Sequence, residues 1–370
     1  MLYSDLNGVT VPRLGMGAMR LPVSTKYIGH IDEERACTLI NRAMEAGVNY
    51  FDTAYIYHKG ASESFLGSAL ARYPRDSYLL ATKFFIGANP NYRAVFESQL
   101  KKLRCERVDF YLIHSVFDLT QKAYDASGAI AYFQEQKRLG RIGQLGFSAH
   151  MSPRALARFA ARHDWDFVQL QINYEDWFDK TAEKLYRIAH EQGLPVIVME
   201  PVKGGRLASL GSAGNAALRA QEPDASIASW AMRFLMRLPD VKIVLSGMGA
   251  LEQLEDNIAT FSEERPLSES DLALLERAWR LSRVKGAVPC TSCRYCCDSC
   301  PRDLDIPHLL SLYNLMRAEG KRAAAEAAAA AGTTLENGPA ACIRCGRCTK
   351  YCPQSIAIPE TLGKLARALR

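Results

Sequence analysis

From Leu14 to about residue 282 two patterns alternate along the chain. Short runs rich in β-branched and aromatic residues give way to stretches whose apolar residues recur every three or four positions. The runs Leu14–Ala18, Val48–Thr53, Tyr78–Lys83, Val108–His114, Ile142–Ser148, Phe167–Ile172, Pro195–Glu200 and Lys242–Ser246 read as eight strands. Val108–Ile113 and Pro195–Met199 are almost continuously apolar, as expected of parallel strands covered on both faces. The intervening segments carry helix punctuation. Asp32 stands as an N-cap before Ala36, Leu39, Ile40 and Ala43, and Gly47 stops that helix. Ser152-Pro153 is an N-cap followed by proline at the first helical position. Ser268 and Asp271 form a capping-box pattern ahead of Leu272, Leu275 and Ala278. Eight β–α alternations predict an α/β fold, a (β/α)8 TIM barrel. A doubly wound sheet is the weaker alternative, because no G-x-G-x-x-G follows the first strand.

Beyond residues 283–289 the strand pattern ends. Ile306–Arg317 reads as a helix, the alanine-rich Lys321–Ala331 as another, and Gly332–Ala341 as a loop. The expected organisation is therefore a barrel over residues 1–282 and a small α-helical domain over 283–370.

Composition adds limits. In 370 residues, 48% hydrophobic and 23% charged are ordinary values for a globular protein, and no apolar run is long enough for a membrane span. The first twenty residues contain Asp5, Asn7 and Arg13 and no apolar signal-peptide core. Eight of eleven cysteines fall in two tight runs, leaving Cys37, Cys105 and Cys297, so a disulfide framework is not expected and a reducing cytoplasm is. Residues 283–370 hold 13 Lys/Arg against 7 Asp/Glu, while the rest balances at 33 against 33. Such a basic domain suits nucleic acid less well than it suits a counter-charge for anionic clusters or a docking face for an acidic protein.

The cysteine runs explain that charge. Cys342, Cys345, Cys348 and Cys352 are spaced C-x2-C-x2-C-x3-C and followed by Pro353, and Cys290, Cys293, Cys296 and Cys300 repeat the spacing before Pro301. Two-residue gaps let three thiolates face one small cluster. The pattern resembles the bacterial ferredoxin run, and the helical spacer between the copies resembles the α-helical ferredoxins attached to larger dehydrogenases. The resemblance implies two 4Fe–4S clusters, with the fourth cysteine of each run ligating the other cluster. Cys290, Cys293, Cys296 and Cys352 would then hold one cluster, and Cys342, Cys345, Cys348 and Cys300 the other. Zinc is the alternative for paired C-x2-C ligands, although it does not call for three evenly spaced cysteines and a distant Cys-Pro. Cys297 is surplus; it reads as a spectator that could substitute for Cys296.

Active sites of such barrels lie at the C-terminal ends of the strands. Those positions hold Asp52, Lys83 and His114, and Tyr57 follows Asp52 by five residues. With the strings F-D-T-A-Y-I-Y-H, A-T-K, L-I-H and S-E-S-F-L-G, these residues resemble the catalytic tetrad of the aldo-keto reductases in type, order and strand. A lysine ammonium beside a tyrosine hydroxyl favours loss of its proton, and a carboxylate holds that lysine charged. The resemblance implies that Tyr57 protonates a substrate carbonyl oxygen, that His114 donates a hydrogen bond to it, and that NAD(H) or NADP(H) carries hydride. It further assigns Ser148, Gln171, Asn173 and Asn257 to nicotinamide or adenine, and Gly204, Gly205 and Arg206 to a loop over the pyrophosphate. Three features depart from the family: Ala149 replaces an Asn, Met199 replaces the aromatic that stacks on nicotinamide, and Gly247, Met248 and Gln253 replace the Lys-Ser pair and Arg that clasp a 2′-phosphate. His58, His150, Asp176, Trp177, Glu200 and Lys203 add polar or aromatic candidates at the rim.

The expected function is an iron–sulfur oxidoreductase that reduces a carbonyl or oxidises an alcohol and is linked to electron transfer through its clusters. Its partners would be a small-molecule substrate and a ferredoxin or flavodoxin, with neither nucleic acid nor membrane. The alternative is a nicotinamide-dependent carbonyl reductase whose clusters are structural or redox-sensing. A barrel kept only as a nucleotide-sensing module fits poorly with a complete tetrad. Because nicotinamide moves electrons in pairs and cubanes move them singly, a flavin would help, but no flavin fingerprint is present.

Overall fold

The computed structural model describes residues 1–24 and 30–369. Two compact units are present, one comprising Met1–Val202 with Asp224–Glu276, the other Lys203–Pro223 with Arg277–Arg370. The last division, after Glu276, falls inside the helix Glu269–Ser282, and residues 203–223, which follow the seventh barrel strand in sequence, belong to the cysteine-bearing unit.

The first unit is a closed parallel barrel. Its strands are β3 (Leu14–Gly17), β4 (Tyr50–Asp52), β5 (Leu79–Phe84), β6 (Val108–Phe117), β7 (Ile142–His150), β8 (Phe167–Gln171), β9 (Val196–Met199) and β10 (Val241–Ser246), in the circular order β10-β3-β4-β5-β6-β7-β8-β9. All eight expected strands are present. The predicted caps are also made: Asp32 accepts from Arg35 N, Ser152 accepts from Ala155 N, and Ser268 and Asp271 exchange reciprocal bonds of 3.0 and 3.1 Å.

An element the sequence reading omitted precedes the barrel. β1 (Tyr3–Leu6) and β2 (Val9–Pro12) form an antiparallel hairpin, with Asn7 and Gly8 at φ +52° and +83°. Left-handed Asn-Gly is the two-residue turn that matches strand twist. Leu6 and Val11 join the barrel's inner core with Tyr50, Phe110, Phe167, Ile197 and Ile243, all fully buried. Each such side chain contributes roughly 1.5–3 kcal/mol relative to exposure.

The second unit is an internal duplication offset by one cysteine run. Each run is followed by a short linker with one buried aliphatic residue, Leu304 or Ile356, and a helix with proline in its first turn, Ile306–Glu319 after the first and Ile358–Ala368 after the second. The backbone repeats in detail: Ser292, Arg294 and Asp303 are left-handed, as are Arg344, Gly346 and Ser355 at the matching positions. Leu304, Ile306, Leu309, Leu310, Leu312, Ile356, Ile358, Leu362 and Leu365 pack the two halves into one core. Ala324 and Ala328 bury the small face of the helix Lys321–Ala330.

Candidate functional site

Two strand ends, a bulge and a turn assemble the barrel site; β6 runs on past His114, where the sequence reading ended it, to Phe117. Asp52 closes β4, Lys83 is the penultimate residue of β5, and His114 lies in β6 just before a register shift between Ile113 and Val116. Ser115 sits at that bulge with φ +52°, a conformation costly for a non-glycine residue, and its N–H is held by Ser148 Oγ at 2.8 Å. Bulges re-aim side chains beside active sites, and here the bulge sets His114. Tyr124 OH fixes the same turn by donating to His114 O at 2.6 Å.

Tyr57 is followed by three left-handed residues, His58, Lys59 and Gly60, at φ +49°, +54° and +89°. Such strain persists only where the surroundings over-determine it. The helix after the turn, Ala61–Leu70, approaches Tyr92–Leu103 closely at Gly67, where an added Cβ would lie 2.1 Å from Lys102 O. Beneath it Glu63, fully buried, accepts from Thr82 Oγ1 and Gln99 Nε2, both at 2.7 Å, and Gln99 accepts from Tyr111 OH at 2.6 Å. This network braces β5 one residue before Lys83.

Lys83, 1% exposed, donates to Asp52 Oδ1 at 2.5 Å and to Thr53 O at 2.7 Å, and its ammonium stands 4.8 Å from the Tyr57 ring centroid. The His114 ring meets Tyr57 edge-on at 5.8 Å and Phe85 at the same distance. Burial pushes the Asp52 carboxyl up and the Lys83 ammonium down, each opposed by its partner, so either charge depends on the other. Burial, with Lys83 and His150 adding to it, drives His114 well below the ordinary histidine range, so it stands neutral at pH 7. Burial likewise lowers His150 to about 4, where its ring stacks on Phe117 at 5.3 Å.

The positions expected to hold a dinucleotide are partly engaged. Ser148 accepts the Ser115 N–H; Gln171 Nε2 donates to Asp176 Oδ2 at 2.7 Å; Asn173 caps Tyr174–Phe178 and donates to Asp176 and to Glu200 O. Asn257 Nδ2 donates to Ser246 Oγ at 3.0 Å. Asp176 thereby gathers Gln171 and Asn173, whereas Trp177 packs against Tyr186 and Phe234. Gly204, Gly205 and Arg206 fall in the cysteine-bearing unit with the buried Lys203. Gly204 has φ +67°, and an added Cβ would lie 2.1 Å from Thr291 O, so the glycine admits the backbone of the first cysteine run. The reading also missed Arg20. Its side-chain carbons lie 2.8–3.0 Å from where a Gly247 Cβ would stand, and its guanidinium pairs with Glu200 at 3.4 Å. Ser148 and Gln171 present the hydroxyl and amide chemistry a carboxamide requires, while Gly247, Met248 and Gln253 present no cation to a 2′-phosphate.

In the second unit two cavities collect the cysteines. The lining of one includes Cys290, Cys293, Cys296 and Cys352; that of the other includes Cys300, Cys342, Cys345 and Cys348. In each, three thiols come from one run and the fourth from the other; Cys297 lines neither and packs against the hydrophobic core. Ser292 N–H donates to Cys290 Sγ at 3.4 Å. Left-handed residues on both sides of Cys293 and of Cys345 create the concave N–H arrays that accommodate anions, iron–sulfur groups among them. Among the described residues no three His, Cys, Asp or Glu side chains converge as a single metal ion requires. Three evenly spaced thiols of one run joined by the last thiol of the other fit a cubane better than one zinc.

Comparison with protein families covers both parts of the chain. Residues 13–280 match the aldo/keto reductase family and residues 289–357 match the 4Fe-4S dicluster domain. The chain belongs to the aldo/keto reductase family, whose members are oxidoreductases, and carries a C-terminal 4Fe–4S dicluster domain. It is 25% identical over 317 residues to a soybean (Glycine max) protein named "Probable aldo-keto reductase 1", a match spanning 75% of this chain and 88% of that one. It is also 25% identical over 305 residues to L-galactose dehydrogenase of Arabidopsis thaliana, spanning 75% and 93%. Among solved structures, the thermostable aldo-keto reductase Tm1743 in complex with the inhibitor epalrestat superposes with a TM-score of 0.62 at 23% identity, over 75% of this chain and 100% of that one. The holo form of aldo-keto reductase AKR11C1 from Bacillus halodurans does so with a TM-score of 0.59 at 23% identity, over 75% and 96%. These structural likenesses carry the fold. No helix among the described residues is long and apolar enough to cross a membrane.

Proposed function

We propose that the barrel reduces the carbonyl of a small molecule, or oxidises the corresponding alcohol, with Tyr57 as the acid–base residue, and that the second unit links this chemistry to one-electron transfer. The observation that carries the reading is the buried Asp52–Lys83 pair, with the ammonium 4.8 Å from the Tyr57 ring centroid. A positive charge in a dry site favours negative charge on the phenol oxygen as its proton leaves. Tyr57 gives that proton to the carbonyl oxygen as the carbon is reduced and takes it back in the reverse direction. Neutral His114 donates a hydrogen bond to the same oxygen and does not compete as an acid. Asp52 acts through Lys83, keeping it charged and aimed.

A nicotinamide bound near Ser148 and Gln171 would supply the hydride. Asn173 orients Asp176, which in turn orients the Gln171 amide. In the second unit Cys290, Cys293, Cys296 and Cys352 would hold one 4Fe–4S cluster, and Cys300, Cys342, Cys345 and Cys348 the other, each supplying single-electron chemistry. The crossed membership of the two cavities supports that assignment.

Replacing Tyr57 by Phe tests the reading. The turnover number should fall by roughly 10²–10⁴-fold, the usual contribution of a positioned acid, with nicotinamide affinity within a few-fold of wild type. A variant keeping a tenth or more of wild-type turnover would remove Tyr57 from the role.

A further inference from the structure

The two cysteine runs repeat each other in spacing, backbone and following helix, yet their surroundings differ. Residues 290–300 contain Arg294 and Asp298; residues 342–352 contain Arg344, Arg347 and Lys350 and no acid. Arg294 is paired with Asp305 at 3.1 Å, and Thr291, only 2% exposed, packs against Gly204. Around the other cavity Cys345 is exposed, Ile343 is 61% exposed, and Arg302, Arg344, Arg347 and Lys350 all face solvent. Arg302 and Arg344 line that cavity directly. An added Cβ on Gly363 would lie 2.9 Å from Arg344 Nη2 and 3.8 Å from Arg367 Nη1, so two guanidinium groups converge there. Among the described residues none of these five cations forms an ion pair.

We propose that the cavity of Cys300, Cys342, Cys345 and Cys348 is where electrons enter this protein, and that the basic collar around it docks a small acidic one-electron carrier protein. The proposal rests on the reading that both cavities hold clusters. A cubane with four thiolates carries about −2, less than the +3 of residues 342–352 alone, so the collar keeps a positive field to offer. Unpaired surface cations steer an oppositely charged protein at long range, and Ile343 gives the encounter an apolar centre. Each encounter passes one electron from the reduced carrier to the group these four cysteines hold, with no bond made or broken. Among the described residues, the lining of the first cavity carries one arginine, Arg294, and that one is paired.

The test uses anaerobically prepared holoprotein and a reduced acidic plant-type ferredoxin as the probe carrier. Binding is followed by titration, and electron transfer by the change in cluster absorbance on rapid mixing. The second-order rate should fall by about tenfold or more between low and high salt. Arg347→Glu with Lys350→Glu, neither of which lines the cavity, should slow it by about tenfold at low salt and weaken binding, with iron content and reduction by dithionite unchanged. Arg322→Glu, on the alanine-rich helix, should change neither. If the reversed pair sheds iron, the milder Arg347→Gln with Lys350→Gln must still slow the transfer. A rate within twofold of wild type in cluster-replete variants would overturn the docking surface, as would equal slowing by Arg322→Glu or tighter binding of mixed-sequence duplex DNA than of the carrier. Wild-type protein without iron would instead refute the underlying cluster reading.

Discussion

The barrel mouth and the cluster unit handle charge in opposite ways. At the mouth, Asp52 and Lys83 are shut away from water and depend on one another, and the neighbouring histidines are driven neutral by burial. In the cluster unit the cations around Cys345 are exposed and unpaired among the described residues, and the anion they face would be spread over a cubane and met by backbone N–H groups. A proton moves only over hydrogen-bond distances, so its donor must be fixed and dry. An electron crosses between proteins and needs an approachable face. On the proposed reading, the two regions meet opposite constraints within one chain.

Breaking the buried pair should have the largest effect. In Asp52→Asn, burial acts on Lys83 without its strongest opponent, so the ammonium pKa falls further below its ordinary value. A lowered lysine pKa means the charge is lost as pH rises, so activity should decline at a lower alkaline pH than in wild type. At neutral pH turnover should drop by about 10²-fold, with the deficit widening as pH increases. A pH–rate profile parallel to wild type would show that Asp52 does not sustain the lysine charge.

The cluster unit should break differently, by ligand count. Two cubanes correspond to about eight iron and eight sulfide per chain. Cys352→Ser should disturb the cluster of Cys290, Cys293 and Cys296, remote from it in sequence, and leave the other, so the iron content falls by about half. Cys297→Ser should leave both clusters and their paramagnetic resonance signals intact. Wild-type iron near four per chain, or loss of a cluster on replacing Cys297, would overturn the crossed assignment while leaving the barrel chemistry untouched.

The same contrast explains what could be read from the chain. Barrel strands announce themselves because both faces are buried, and the cysteine runs because their ligands are close in sequence. Asp52, Lys83 and His114 were legible as residues at predicted strand ends, and Tyr57 as the loop residue five positions after Asp52. The hairpin at Asn7-Gly8 carried a turn signal that was passed over. Ser115 gave none, since a left-handed serine looks like any other until its neighbours in β7 are known. The Arg20–Glu200 pair joins residues 180 positions apart. Gly204, Gly205 and Arg206 are assigned to a pyrophosphate loop by resemblance alone, and nothing in their sequence announces the Thr291 carbonyl that stands against Gly204.

Coenzyme preference offers the smallest and most discriminating test of how charge is kept in pairs at the mouth. Gly247, Met248 and Gln253 offer no cation, so NADH should bind as well as NADPH or better. Arg20 is the nearby exception, but its guanidinium faces Glu200, whose carboxylate offsets the charge a phosphate would seek. Glu200→Gln should therefore strengthen NADPH binding by a few-fold, with NADH little changed, because a partly exposed ion pair is worth only about 0–1 kcal/mol. Fluorescence titration of both coenzymes against wild type and variant measures it. NADPH tighter than NADH by tenfold or more in wild type would mean that a basic residue already reads the 2′-phosphate, with Arg20, Lys203 and Arg206 the residues to replace next. An unchanged ratio in Glu200→Gln would remove Arg20 from that group.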